Sequence, residues 1–331
     1  MQTNVNKAKG EIQIENRFIG GIYAFFKDNL GILIGLMAMC IALTFLSPAF
    51  LTPENILNVL RQVSTNANLA IGMTLAIIIS GIDLSVGSIL ALSGTVAAGL
   101  ITNNHMPVAL AVLIGLFIGT ALGFINGTVI AKTGMPPFIV TLAMMQIARG
   151  AAYVYTNGMP IRTMVPEFNE LGNGYLGPIP LPVIYTIVLV IGVSLLLGKT
   201  KMGRYIYAVG GNRDAARFSG IKIANVEVVV YTLLGFLCAV SGVVLCARMY
   251  SGQPTVGNGF EMDAIAASVL GGTSMSGGIG KIGGTIIGVF IIGVLNNGLN
   301  LLNINSFWQL IAKGAVILIA VYVDILKKKK R

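Results

Sequence analysis

The chain has 331 residues, 55% of them hydrophobic and only 10% charged, with a formal net charge of +10. A mean hydropathy of +0.84 and recurring apolar stretches of about 20 residues exclude a water-soluble fold, because no interior of that size holds so many such helices. In lipid each stretch has the natural length, since about 20 residues at about 1.5 Å rise cross a hydrocarbon core roughly 30 Å thick.

Residues 1–30 are polar and charged, with no small-residue cleavage site after a short apolar core, and read as a cytoplasmic arm rather than a signal peptide. About ten spans are expected, near 31–47, 63–80, 86–102, 107–130, 138–156, 182–198, 226–248, 263–276, 283–302 and 307–325. They make an all-α polytopic domain over 31–326 with a basic tail at 327–331. Ten being even, both termini lie on one side. Lys7, Lys9, Arg17 and Lys27 precede the first span, and Lys132 follows the fourth. Lys199, Lys201, Arg204, Arg213, Arg217 and Lys222 separate the sixth from the seventh, and Lys281 the eighth from the ninth. Lys327, Lys328, Lys329, Lys330 and Arg331 close the chain. These 17 of the 22 Lys and Arg share one side, which the positive-inside rule makes the cytoplasm. The net charge is therefore a signature of topology and of anionic membrane lipid, and it calls for no nucleic acid. Cys40, Cys238 and Cys246 fall within spans; the last two stand about 12 Å apart along one helix, too far for a disulfide.

Between the second and third spans, SGIDLSVGS (80–88) interrupts an apolar region. Asp83 or Ser85 either caps the next helix or belongs to a broken helix lining a path, and both readings stand. His105, the only histidine, sits in an outer loop and reads as solvated. The basic loop 199–225 carries a short helix from Asn212 to Gly220. Asn212 suits the N-cap and Asp214 the first turn; Ala215, Ala216, Arg217 and Phe218 continue the helix; Gly220 suits the position after its end. A capped helix that presents Phe218 from a loop is suited to docking into a partner. GGTSMSGGIGKIGG (271–284) matches neither a phosphate loop, with Met275 and Ile282 at required positions, nor a dinucleotide site, with no strand before it. It reads as a flexible reversal between closely packed helices.

Asn66, Asn68, Thr74, Asn126, Asn296, Asn297 and Asn300 sit among apolar neighbours within spans. With Asp83 and Ser85 they are candidates to line a path for an uncharged, polyhydroxylated solute; taken singly, each is more simply an interhelical hydrogen bonder. Arg149 and Lys313 pair with Glu261 or Asp263, or snorkel to an interface. Trp308 is placed as an interfacial anchor. No metal-ligand spacing and no nucleophile–base pairing appears in the chain, so catalysis has no support.

The halves resemble each other. Ser80-Gly81 recurs as Ser251-Gly252, and Asn126-Gly127 recurs at the same offset as Asn297-Gly298. Ile147 to Ala151 recurs as Ile311 to Ala315. Spans two to five thus map onto spans seven to ten in the opposite direction, an inverted repeat of the kind that transporters build around a path.

SGIDLSVGS (80–88), GRYIYAVGGNRDAARFSGI (203–221) and GFEMDAIAASVLGGTSMSGG (259–278) resemble the permease subunits of bacterial ATP-binding-cassette (ABC) importers for monosaccharides, those of the ribose-permease type most of all. The likeness runs through NNGLNLL at 296–302. It implies a dimer of two permease copies in the inner membrane, cytoplasmic ATPase subunits that bind the ATP and Mg, and a periplasmic or lipid-anchored sugar-binding protein. It implies no cofactor in this chain. Asp214-Ala215-Ala216 and Gly220 match the start of the family's cytoplasmic coupling motif, E-A-A-x-x-x-G, with Asp for Glu, while the motif's later Leu-Pro is missing. The expected function is translocation of a monosaccharide, ribose first, on ATP hydrolysed elsewhere. The alternatives are another cargo (xylose, galactose or a signal sugar) and, in a different class, an ion-coupled secondary transporter, which the scarcity of intramembrane acids disfavours.

Overall fold

The structure, a computed structural model, describes residues 30–329. The arm expected over 1–30, apart from Leu30, and Lys330 and Arg331 of the tail lie outside the described residues. An apolar helix α1 (Leu30–Leu46) leads to α2 (Pro53–Ile78), α3 (Val86–Thr102), α4 (Val108–Thr133) and α5 (Pro137–Thr156). Strand β1 (Ile161–Arg162), helix α6 (Pro166–Asn173) and the hairpin of β2 (Tyr175–Leu176) with β3 (Ile179–Pro180) follow. Then come α7 (Leu181–Lys199), α8 (Lys201–Gly211), α9 (Arg213–Phe218), α10 (Ile223–Met249), β4 (Ser251–Gly252), α11 (Phe260–Leu270), α12 (Ile282–Leu301) and α13 (Ser306–Lys329). β4 returns to pair antiparallel with β1, Ile161 opposite Gly252 and Arg162 opposite Ser251.

Each expected span holds a helix. α4, α5, α7, α10 and α12 are long and apolar enough to cross a membrane by themselves; α1, α3 and the apolar part of α13 are shorter. Two helices differ from the sequence expectation. α2 starts at Pro53, well before position 63, because Thr52 caps it by accepting from Asn55 N at 3.4 Å and Glu54 sits in its first turn. α11 stops at Leu270, and its 11 residues rise only about 16 Å, half a hydrocarbon core. The expected eighth span is therefore only a half-helix, ended where Gly272 takes a φ of +86°.

The two halves exchange their first helices. α10 packs on α3 and α4, whereas α2 packs on α11 and α12, and α2 and α10 pack on each other. The last pair runs antiparallel: Gly72 meets Leu234 and Leu237, and further along Ser241 Oγ donates to Thr65 O at 3.0 Å. α4 likewise opposes α10, and α2 opposes α12, where Thr74 Oγ1 and Thr285 Oγ1 stand 2.7 Å apart. An inverted repeat requires this reversal of direction. The core lies along the exchanged helices. In its most apolar window α10 is 67% buried, whereas α4 is 22% buried and turns Leu113, Phe117, Phe124 and Ile125 outward.

The α4–α10 seam works by removing side chains. Gly115, Gly119, Gly123 and Gly127 recur every fourth residue on the buried face of α4. A Cβ on Gly123 would stand 2.3 Å from Tyr231 O, and one on Gly235 2.3 Å from Gly119 O. The two backbones are in direct contact, a packing mode suited to lipid, where close van der Waals approach replaces hydrophobic exclusion.

Candidate functional site

The loop 199–225 holds two helices, not one. α8 buries Gly203, Ile206 and Val209. Asn212 ends α8 and begins α9, its Oδ1 accepting from Ala215 N at 2.9 Å. Asp214 and Ala215 lie in the first turn, Ala216 is buried, and Phe218 is 85% exposed. Gly220 closes the unit at φ +81°, donating to Arg217 O at 3.0 Å. Sequence reasoning found the caps; it did not find the ion pair of Arg213 NH1 with Glu227 Oε1 of α10 at 2.7 Å.

The glycine segment 271–281 is held by hydrogen bonds rather than left as a flexible reversal. Gly278 N donates to Ile78 O at 2.8 Å, Ser80 Oγ to Ser276 O at 3.1 Å, and Tyr207 Oη of α8 to Gly280 O at 2.7 Å. Burial pushes the Tyr207 phenol up, so it stays a neutral donor. The segment thus ties the end of α2, the helix α8 and the α11–α12 turn into one cluster.

Two unwound stretches interrupt the core. In the first, residues 79–85, Asp83 is 1% exposed and accepts from Ser85 N at 2.7 Å and from Ser85 Oγ. Asn126 Nδ2 donates to Ser85 Oγ at 3.1 Å. Neither Asp83 nor Ser85 caps α3 with its side chain: Ser85 lies at φ −84°, ψ −7°, and its hydroxyl is spent on Asp83. The second stretch, 253–259, was not picked out from the sequence, although Pro254 and two glycines at positive φ, Gly257 and Gly259, mark it. The second stretch packs on the helix that follows the first: a Cβ on Gly87 of α3 would stand 2.1 Å from Gly257 O. The approach to α11 therefore rests on the first turn of α3.

Of the repeat-equivalent cations, Arg149 meets the second stretch and Lys313 meets the start of α11. Arg149 donates to Pro254 O and, at 2.8 Å, to Val256 O, satisfying unwound backbone. Lys313 Nζ stands 3.0 Å from Asp263 Oδ2, which also accepts from Asn296 Nδ2 at 3.3 Å. The other path candidates form separate pairs. Asn297 exchanges hydrogen bonds with Asn55 at 2.7 and 3.0 Å. Thr74 meets Ser268 and Thr285. Asn300, exposed, accepts from Gln309 at 2.9 Å. Asn66 and Asn68 are buried on α2, with Asn68 Oδ1 lacking a partner among the described residues. Trp308 and His105 are exposed. No group of three metal-ligating side chains occurs among the described residues.

Long helices exchanged between two antiparallel halves, with an unwound stretch in each half and several helices apolar enough to span, define a multi-pass membrane permease. The chain belongs to the family described as branched-chain amino acid transport system, permease component, which matches residues 55–321. It is 52% identical to the ribose import permease protein RbsC of Bacillus subtilis (strain 168), covering 90% of this chain and 92% of that one. It is 47% identical to RbsC of Escherichia coli (strain K12), covering 88% and 92%. It is 36% identical to the L-arabinose ABC transporter permease protein AraH of Azospirillum brasilense, covering 94% and 91%. No solved structure matches the chain.

Proposed function

We propose that this chain is the membrane subunit of an ABC importer that moves ribose into the bacterial cytoplasm. The observation that carries this reading is the 52% identity to a ribose import permease over 90% of the chain, against 36% to an arabinose permease. Its termini and the loop 199–225 face the cytoplasm, as the basic residues require. ATP is hydrolysed on a separate subunit, onto which α9 docks through Asn212, Asp214, Ala215, Ala216, Phe218 and Gly220. Phe218, 85% exposed on a polar loop, is the natural anchor of that contact. A sugar-binding protein delivers the cargo from outside, and two permease copies enclose the path. The unwound stretches, with Asp83, Ser85 and Asn126 beside them, are its candidate walls.

The test is uptake into proteoliposomes holding this chain with its ATPase and binding protein. Labelled ribose should accumulate only with ATP inside, and excess arabinose, xylose or galactose should not compete. Accumulation driven by a proton or sodium gradient in vesicles holding this chain alone would overturn the reading. For orientation, single cysteines at His105 and Glu167 should react with a membrane-impermeant reagent on intact cells, and one at Lys222 should not.

A further inference from the structure

Glu227 lies in the second turn of α10 and is 2% exposed. Its Oε1 stands 2.7 Å from Arg213 NH1, while its Oε2 is buried with no hydrogen-bond partner among the described residues. The Arg213 side chain is 56% exposed and opens α9. The carboxylate thus belongs to a spanning helix and its counter-charge to the short helix outside. A buried carboxylate whose cation is removed is left as a costly uncompensated charge. Displacing α9 takes that cation away.

The same turns of α10 are wedged so tightly that a shift cannot be absorbed there. A Cβ on Gly127 of α4 would stand 2.7 Å from Val228 Cα and 3.1 Å from Glu227 O. One turn further on, the hydroxyl of Tyr231 lies against Gly81 in the unwound stretch 79–85, 2.3 Å from where a Cβ would be. That hydroxyl is also buried without a hydrogen-bond partner among the described residues. It sits four residues from Glu227 on one helix face, a donor available to the carboxylate when Arg213 withdraws. Close-packed contacts of this kind transmit displacement rather than damp it. Gly127 adjoins Asn126, and Gly81 precedes Asp83, so both contacts lead to the Asp83–Ser85–Asn126 cluster.

We propose that the Arg213–Glu227 pair is the transmission contact of the importer. Motion of α9, driven by the ATPase, moves Arg213 on or off Glu227, and α10 passes the change to α4 and to the stretch 79–85. This rests on the docking of α9 proposed above. Arg213 and Glu227 are positioning residues, touching neither sugar nor nucleotide.

The experiment uses the reconstituted complex with its ATPase and binding protein, and reads two quantities: ATPase co-purification, and ribose imported per ATP hydrolysed. The double variant Arg213→Met/Glu227→Gln leaves no unpaired buried charge, so a merely neutralising pair would be dispensable in it. It should keep the ATPase bound yet import about fivefold less ribose per ATP, or fewer still. Arg213→Lys, which keeps a point charge, should recover most of the ratio. Arg213→Gln, made at the more exposed partner, carries the same expectation as the double variant and decides the question if that variant fails to reach the membrane. A wild-type ratio in either the double variant or Arg213→Gln overturns the proposal. Phe218→Ala separates the two readings. If it releases the ATPase while the double variant and Arg213→Gln keep a wild-type ratio, docking stands and transmission falls. If it leaves the ATPase fully bound, the docking reading fails, and the transmission proposal with it.

Discussion

The direct backbone contact between α4 and α10 predicts that a single methyl group on Gly123 destabilises the whole protein. In Gly123→Ala the new Cβ would stand 2.3 Å from Tyr231 O and within 3.0 Å of Gly235 Cα and N. Contact distance is about 3.5 Å, so the helices must part by about 1 Å. The opposing atoms are backbone and cannot rotate aside as a side chain would. Alanine gains about 1 kcal/mol of helix propensity over glycine. Overpacking costs about 1–3 kcal/mol, and a rigid neighbour places this site at the upper end. The net loss is about 2 kcal/mol. Gly192 in α7 is the control, because a Cβ there meets nothing within 4 Å; Gly192→Ala keeps only the propensity gain. The two variants should therefore differ by about 3 kcal/mol. The assay is thermal unfolding in detergent, followed by reaction of a thiol dye with Cys238 and Cys246, both buried on α10. If Gly123→Ala unfolds at or above the temperature of Gly192→Ala, the argument from close approach is wrong.

Gly220→Val meets no steric neighbour, so its cost comes from φ +81° alone: about 1–2 kcal/mol, seen as amide exchange in α9 faster by about tenfold, with Gly220→Asn largely spared. Phe218→Ala should leave the unfolding temperature unchanged while ATPase co-purification falls, since the side chain is 85% exposed. Lys313→Met leaves the Asp263 carboxylate, 3% exposed, with no cation and only its hydrogen bond from Asn296, and should cost about 3 kcal/mol. Adding Asp263→Asn should recover most of that loss, as measured by the same unfolding assay.

Most helix lengths, those of α2 and α11 excepted, were legible from apolar runs alone, and the ends of α3 fell at Val86 and Thr102 as expected. The start of α2 was legible too, but in another signal: Thr52-Pro53-Glu54 is a cap, a first-turn proline and a first-turn acid. An apolar window cannot see it, because those residues are polar. The glycine spacing of α4, from Gly115 to Gly127, likewise marked its packing face. What the sequence could not supply were the pairings. Arg149, expected to pair with Glu261 or Asp263 or to snorkel to an interface, donates to carbonyls of a stretch that packs against Gly87. Lys313 did find Asp263. Arg213 with Glu227, and β1 with β4, join residues that only the tertiary fold brings together.

The exchange of first helices also orders the protein's own assembly. α2 leaves the ribosome early, carrying Thr74 and Asn68 into the bilayer, but two of its packing partners, α11 and α12, come near the end of the chain. Thr285, which meets Thr74, is made 211 residues later. Until then the polar seam of α2 waits at the insertion machinery or against α10, and neither half of the chain has a complete set of neighbours. A chain broken off after α5 is therefore not a smaller version of this fold but an unfinished one, exposing the buried hydroxyls and amides by which a membrane protease can recognise it.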